Sequence, residues 1–231
     1  MTDTQLIIGN KNYSSWSLRP WLLMKHLNIP FEEIRIPLYT NNYSQKILQY
    51  SGAGKVPVLK INGLTIWDTL AISEYLAELE PKLWPSDPQS RSLARSAVAE
   101  MHSGFTALRQ ELPMNCRANQ RKLECSEAAI KDIRRIEALW QQCQEQQSHS
   151  SSPSSSPSSS NASPWLFGEF GIIDAFFAPV ALRFQGYQLQ LQPHSRAYIG
   201  TQTHNAHLQQ WIRDGQGEAE IIEEEEVGVT R

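Results

Sequence analysis

Apolar and polar residues alternate along this chain in several rhythms, and each predicts a different element. Gln5-Leu6-Ile7-Ile8-Gly9 is a short apolar run, the pattern of a strand buried on both faces. Asn10 to Ser15 is a polar loop leading to Leu18, Trp21 and Leu22 on a first helix. Pro20 suits the first turn of a helix, where its missing N–H has no intrahelical partner, so the cap is expected near Ser17 with Ser14 and Ser15 in the loop. Phe31 to Ile36 alternates as a second strand, and Ser44 to Tyr50 is a short helix candidate. Val56-Pro57-Val58-Leu59-Lys60-Ile61 and Leu64-Thr65-Ile66-Trp67 flank Asn62-Gly63, a pair that adopts the two positive φ angles of a tight hairpin turn. Asp68 or Thr69 then caps a helix whose apolar positions are Ile72, Tyr75, Leu76 and Leu79. Residues 1–80 therefore read as βαβαββα.

Pro81, Pro85 and Pro88 stiffen an aperiodic linker over 81–89, and the pattern beyond it is helical from 90 to 231. Ala94, Ala97, Val98, Met101, Phe105 and Leu108 form one apolar stripe, ending before Pro113. Ala129, Ile130, Ile133, Ile136, Trp140 and Cys143 form another. Between 148 and 163, 11 residues are serine, so this stretch has almost nothing to bury and reads as a disordered surface insertion. Gly171-Ile172-Ile173-Asp174 restarts the pattern, with Asp174 placed to accept from the cap backbone and Gly171 unable to return the bond. Leu208, Trp211 and Ile212 close the last helix, and within the acidic tail 218–231 the run Glu223 to Glu226 reads as solvated and frayed.

The net charge of −3 comes mostly from that tail, which leaves a nearly neutral body and argues against a nucleic-acid partner. Cys116, Cys125 and Cys143 are odd in number with no Cys-x-x-Cys, which fits neither a disulfide framework nor a metal site. With no apolar run of membrane-spanning length and no basic flank at Met1-Thr2-Asp3-Thr4, no membrane association is expected and the location is read as cytoplasmic.

The βαβαββα unit with Val56-Pro57 ahead of its third strand, joined through a proline-rich linker to a helical half, resembles the cytosolic glutathione S-transferase superfamily. Tyr13-Ser14-Ser15-Trp16-Ser17-Leu18-Arg19-Pro20 resembles the Ser-Ser-Cys-Ser segment of zeta-class enzymes and their bacterial relatives, with Trp16 where zeta has cysteine. Ala99 to Phe105 and Met114 to Arg117 resemble a group of bacterial transferases. The resemblance implies an α+β fold, a thioredoxin-like domain followed by an all-α domain, assembled as a homodimer. It implies glutathione as co-substrate with no metal, and a small hydrophobic electrophile or peroxide as the other partner.

A thiol of ordinary pKa near about 8.5 is only a few per cent thiolate at neutral pH, so such an enzyme must lower that pKa. A hydroxyl aimed at sulfur, beside the positive end of a helix, favours the thiolate. Ser14 is the first candidate for that hydroxyl and Ser15 the second; Tyr13 is a further one. In the superfamily the proline matching Pro57 is cis, which offers the backbone of Val56 to the cysteinyl part of glutathione, while Lys55 meets the glycyl carboxylate. Asp68 and Thr69 match the pair that holds the γ-glutamyl end, and a plain helix cap explains them equally well. Arg19 and Arg117 are candidates for added positive potential. Trp16, His102, Phe105 and Arg109 are candidates for the second-substrate pocket, with core packing the competing account of Met101 and Phe105. Trp16 argues against a zeta-like isomerase, and retention of both serines, Lys55, Pro57, Asp68 and Thr69 argues against a non-catalytic binding module.

Overall fold

A computed structural model describes residues 3–150 and 164–228. Strand β1 (Gln5–Ile8) pairs in parallel with β2 (Glu32–Arg35) and antiparallel with β3 (Val58–Ile61), which pairs antiparallel with β4 (Leu64–Ile66). The sheet order is β2-β1-β3-β4. β1 is continuously apolar because both its faces are covered: Leu6 and Ile8 enter the main core, while Ile7 packs with Ile36, Ile47 and Val58 on the other side. Asn62 and Gly63 turn the β3–β4 hairpin with φ of 50° and 76°, the left-handed conformations expected of this pair.

Helix α1 spans Ser15–His26, and its cap is Ser14 rather than a residue near Ser17. Pro20 consequently lies inside the helix. A proline there cannot donate to the carbonyl four residues back, which is that of Trp16. The Thr69 hydroxyl donates to that carbonyl instead, at 3.0 Å, so the vacancy is filled from a neighbouring helix. Helix α2 (Tyr43–Leu48) is short, and α3 (Thr69–Leu79) is capped by Asp68, whose Oδ1 accepts from the N–H groups of Leu70 and Ala71. Leu79, expected on the buried stripe of α3, is exposed.

The connection to the helical half contains one 3-10 turn, Pro81–Leu83, and ends earlier than the expected 89 because α4 (Pro88–Ser103) starts at Pro88 under an Asp87 cap. The single stripe read through Leu108 is two helices: α4 stops at Gly104, Phe105 takes a φ of 59°, and α5 (Thr106–Glu111) follows. A side chain at Gly104 would place its Cβ 2.8 Å from the Glu100 carbonyl oxygen, so the break is built around that glycine. Helix α6 (Glu127–Ser150) runs through the first residues of the expected serine insertion, and 151–163 lie outside the described residues.

Helix α7 (Ile172–Gly186) is buried along nearly its whole length and packs on α1, α4 and α8 (Pro193–His204); α9 (Ala206–Gln216) packs on α1 and α8. Gly171 occupies the α7 cap because a Cβ there would lie 2.7 Å from the Leu83 carbonyl oxygen. The returning half of the capping box is present, with Asp174 accepting from Gly171 N at 3.0 Å and also from Tyr198 Oη at 2.8 Å. Trp140 packs edge-on against Phe177 and Tyr198 beneath it. No described helix is long and apolar enough to cross a membrane.

Candidate active site

A cleft of about 490 Å³ opens at the N-terminal end of α1. Ser14, Ser15 and Trp16 form one side, Lys55 and Val56 ahead of β3 another, Arg109 of α5 and Arg183 of α7 the helical side. The sequence-predicted Ser14, Ser15, Lys55 and Val56 are thus brought together around one cleft. Pro57 is buried, and the Val56–Pro57 bond is cis. Asp68 and Thr69 do not line the cleft. They connect to it through Trp16, whose carbonyl accepts from Thr69 and whose ring meets the edge of His102 at 5.4 Å between centroids. His102 Nε2 in turn lies 3.1 Å from Asp68 Oδ2. Phe105 is buried and belongs to the core.

The two serines differ in their surroundings. Ser14 Oγ donates to Ser17 Oγ at 2.8 Å and accepts from Ser17 N, while Ser17 Oγ accepts from Gly9 N and ties the helix start to the end of β1. Ser15 Oγ accepts from Arg183 Nη2 at 3.5 Å. Both hydroxyls therefore stand at the positive end of α1, and Ser15 has a guanidinium beside it as well.

Positive charge gathers behind this wall. Arg19 is fully buried; its Nε donates to the Phe176 carbonyl, and Nη1 and Nη2 have no hydrogen-bond partner. Its guanidinium carbon is 4.6 Å from the Trp16 ring centroid, and that of Arg109 is 4.7 Å from the same centroid. Burial, then repulsion from Arg109 and Arg183, holds the Arg19 pKa well below its ordinary value. Burial followed by repulsion from Arg109 brings Arg183 down to about 10. Stacking on an indole recovers about 2 kcal/mol for a desolvated cation, whereas burying an unpaired ion costs several, so stacking alone does not balance these charges.

The remaining wall comes from residues 218–227, where the structure overturns the expectation of a frayed tail. Glu218 accepts from the backbone N–H groups of Lys11 and Asn12 at 2.7 and 3.1 Å. Arg117 donates to the carbonyls of Glu218 and Glu220 at 2.9 Å each and to Tyr13 Oη at 2.6 Å. Tyr13 Oη donates to Glu226 at 2.6 Å, Arg121 pairs with Glu226, and Arg35 holds Glu220 by two nitrogens. Bonding to Arg35 pulls the Glu220 carboxyl down, while burial pushes that of Glu218 up. Ile222 and Glu225 then face the cleft. The sequence held no local signal for this wall, because the cations that fix it, Arg35, Arg117 and Arg121, lie about 100 or more residues away in the chain. Arg183 was missed for a simpler reason: it sits in a nearly continuous buried apolar helix. Tyr13 Oη is engaged with this acidic segment, donating to Glu226 and accepting from Arg117 and from Ile222 N, and burial raises its pKa. Among the described residues, Cys116, Cys125 and Cys143 are free thiols, each pushed up by burial, Cys143 to about 12.

Residues 13–79 match the family model for the glutathione S-transferase N-terminal domain. Over 99 residues the chain is 36% identical to the maleylacetoacetate isomerase of Rattus norvegicus, a match spanning 41% of this chain and 45% of that protein, so it covers less than half the length of that relative. The fold is similar to a theta-class glutathione S-transferase from Xanthomonas axonopodis pv. citri with glutathione bound, with TM-score 0.63, 18% identity, and 92% and 98% of the two chains covered. It is likewise similar to a tau-class enzyme from mango, Mangifera indica, with TM-score 0.64, 17% identity, and coverage of 93% and 96%. Residues 13–79 are thus similar in sequence to the glutathione S-transferase N-terminal domain, and the fold of the chain over both halves is that of the glutathione transferases.

Proposed function

We propose that this chain is a glutathione transferase that binds glutathione in the cleft at the start of α1 and delivers its thiolate to a small electrophile. The observation that carries this reading is the meeting of Ser14 and Ser15, at the positive end of a helix, with Lys55 and Val56 in one cleft. A hydroxyl and a helix terminus both favour the charged form of the thiol, and each lowers its pKa. Ser14 is the donor to sulfur once its hydroxyl turns from Ser17 Oγ to the bound thiolate, with Ser15 next to it. The backbone of Val56 pairs with the cysteinyl unit like an added strand, and Lys55 meets the glycyl carboxylate. Asp68 takes the γ-glutamyl ammonium; Thr69, whose hydroxyl is held by Trp16, contributes the N-terminal end of α3 to the carboxylate. By family resemblance the protein works in the cytoplasm as a homodimer.

A glutathione-dependent isomerase is the second reading, favoured by the 36% identity to the rat protein of that name. Against it, Trp16 fills the place of the zeta-class cysteine. Glutathione binding by calorimetry, with thiolate absorbance followed as pH is varied, tests the shared core of both readings. Saturable binding with a lowered thiol pKa, rising by about one unit or more in Ser14→Ala, is expected, since one unit corresponds to about 1.4 kcal/mol and a charge-assisted hydrogen bond is worth at least that. No binding at millimolar glutathione overturns the reading and leaves the fold as a scaffold for partners.

A further inference from the structure

His102 is among the sequence candidates for the second-substrate pocket, yet it does not line the cleft. It sits next to the last residue of α4 and faces back to the first half of the chain. Its Nε2 is 3.1 Å from Asp68 Oδ2, its ring centroid is 5.4 Å from that of Trp16 and 6.3 Å from that of Phe176, and its Nδ1 is buried with no hydrogen-bond partner. Among the described residues, the Asp68 carboxylate is thus the polar partner of this imidazole. Packing explains the two ring contacts and leaves the approach of Nε2 to Oδ2 unexplained. Asp68 has a half-exposed side chain with both oxygens engaged: Oδ1 accepts from Leu70 N and Ala71 N at 3.0 and 3.3 Å, and Oδ2 faces His102. Capping α3 needs Oδ1 alone and asks nothing of another element. A lysine or arginine beside Oδ2 would cancel the carboxylate and repel a bound ammonium. A neutral imidazole has one N–H to give and leaves the negative charge in place.

We propose that His102 is a positioning residue, which from α4 fixes Asp68 Oδ2 to receive the γ-glutamyl ammonium of glutathione. The helical half thereby sets the grip of an anchor carried by the first half, an inference that rests on the glutathione reading above. A carboxylate held in place before the ligand arrives spares the conformational entropy that a free, exposed side chain loses on binding. The support behind the imidazole is itself stiff, because the Trp16 ring it abuts has the guanidinium carbons of Arg19 and Arg109 at 4.6 and 4.7 Å from its centroid.

Glutathione and glutaryl-cysteinylglycine, which differ only in the α-ammonium, test this by calorimetry on the full chain. The unmutated protein is expected to bind glutathione about tenfold or more tightly than the glutaryl peptide, the loss that removing one charged hydrogen-bonding group brings. His102→Phe keeps a ring against Trp16 and removes Nε2. It should cut that ratio by about fivefold, within the cost of ordering a freed side chain, and leave affinity for the glutaryl peptide unchanged. His102→Gln, which restores an N–H donor, should recover most of the ratio. A ratio unchanged in His102→Phe overturns the inference, and so does an equal loss for both peptides, which makes the ring a packing element only. A ratio near one in the unmutated protein overturns it by releasing Asp68 from the ammonium, while glutathione binding stands. Failure of the glutathione reading is distinct, since the unmutated protein then binds neither peptide and the inference falls with it.

Discussion

Thr69 donates its hydroxyl to the carbonyl that Pro20 leaves without a helical partner, so one side chain of α3 completes the backbone of α1. Thr69→Val keeps the shape and removes the donor. It is expected to cost about 1–3 kcal/mol in urea unfolding, with Thr69→Ser restoring most of it, because a buried acceptor left unmade loses its full desolvation penalty. Asp174 is fully buried at the start of α7, and burial pushes its carboxyl up to about 6 in spite of donors from Tyr198, Gly171 and Leu166. The folded state therefore holds this proton more tightly than the unfolded state, whose carboxyl stays near 3.8. Its contribution favours folding at low pH and is lost as pH rises through the window from the unfolded to the folded value, by about 1.4 kcal/mol per unit of separation. Asp174→Asn should flatten that slope when urea midpoints at about pH 4.5 and about pH 7 are compared, whatever its effect on absolute stability. Gly171→Ala, which forces a Cβ to within 2.7 Å of the Leu83 carbonyl, should lower stability by about 1–3 kcal/mol in the same assay, the usual range for overpacking.

Among the elements, those set by short-range chemistry were readable from sequence. Asn62-Gly63 specifies its hairpin locally, Asp68 caps α3 with its own side chain, and the unbroken run in β1 reflects cover on both faces. Pro20 reads as a start signal that sets α1 about three residues late, whereas a hydroxyl from another helix makes it tolerable in the interior. The stripe from Ala94 to Leu108 holds helical spacing across a break that only Gly104 and the left-handed Phe105 reveal. The site divides the same way. Ser14, Ser15, Lys55 and Val56 lie in local motifs after β1 and before β3, the central strands, whereas Arg183 and the acidic wall reach the cleft only through tertiary packing.

For the molecule as a whole, the acidic segment is a strap joining the two halves. Arg117 spans it with bonds to two of its carbonyls and to Tyr13. Arg117→Ala is expected to loosen the strap without unfolding the core. Cleavage by a glutamate-specific protease among Glu223 to Glu226 should then rise by about tenfold, since two lost charge-assisted bonds exceed the ~1.4 kcal/mol that a tenfold change in local opening requires. Unchanged cleavage would mean that Glu218 and Glu226 hold the segment unaided.

The strap also sets an order of events during translation. Lys11 receives its Glu218 partner from 207 positions downstream, so a nascent chain can form its sheet and hairpin while the serines still face an open surface. The cleft acquires Ile222 and Glu225 only when that stretch leaves the exit tunnel, so a ribosome stalled before Glu218 holds a chain whose groove lacks that wall.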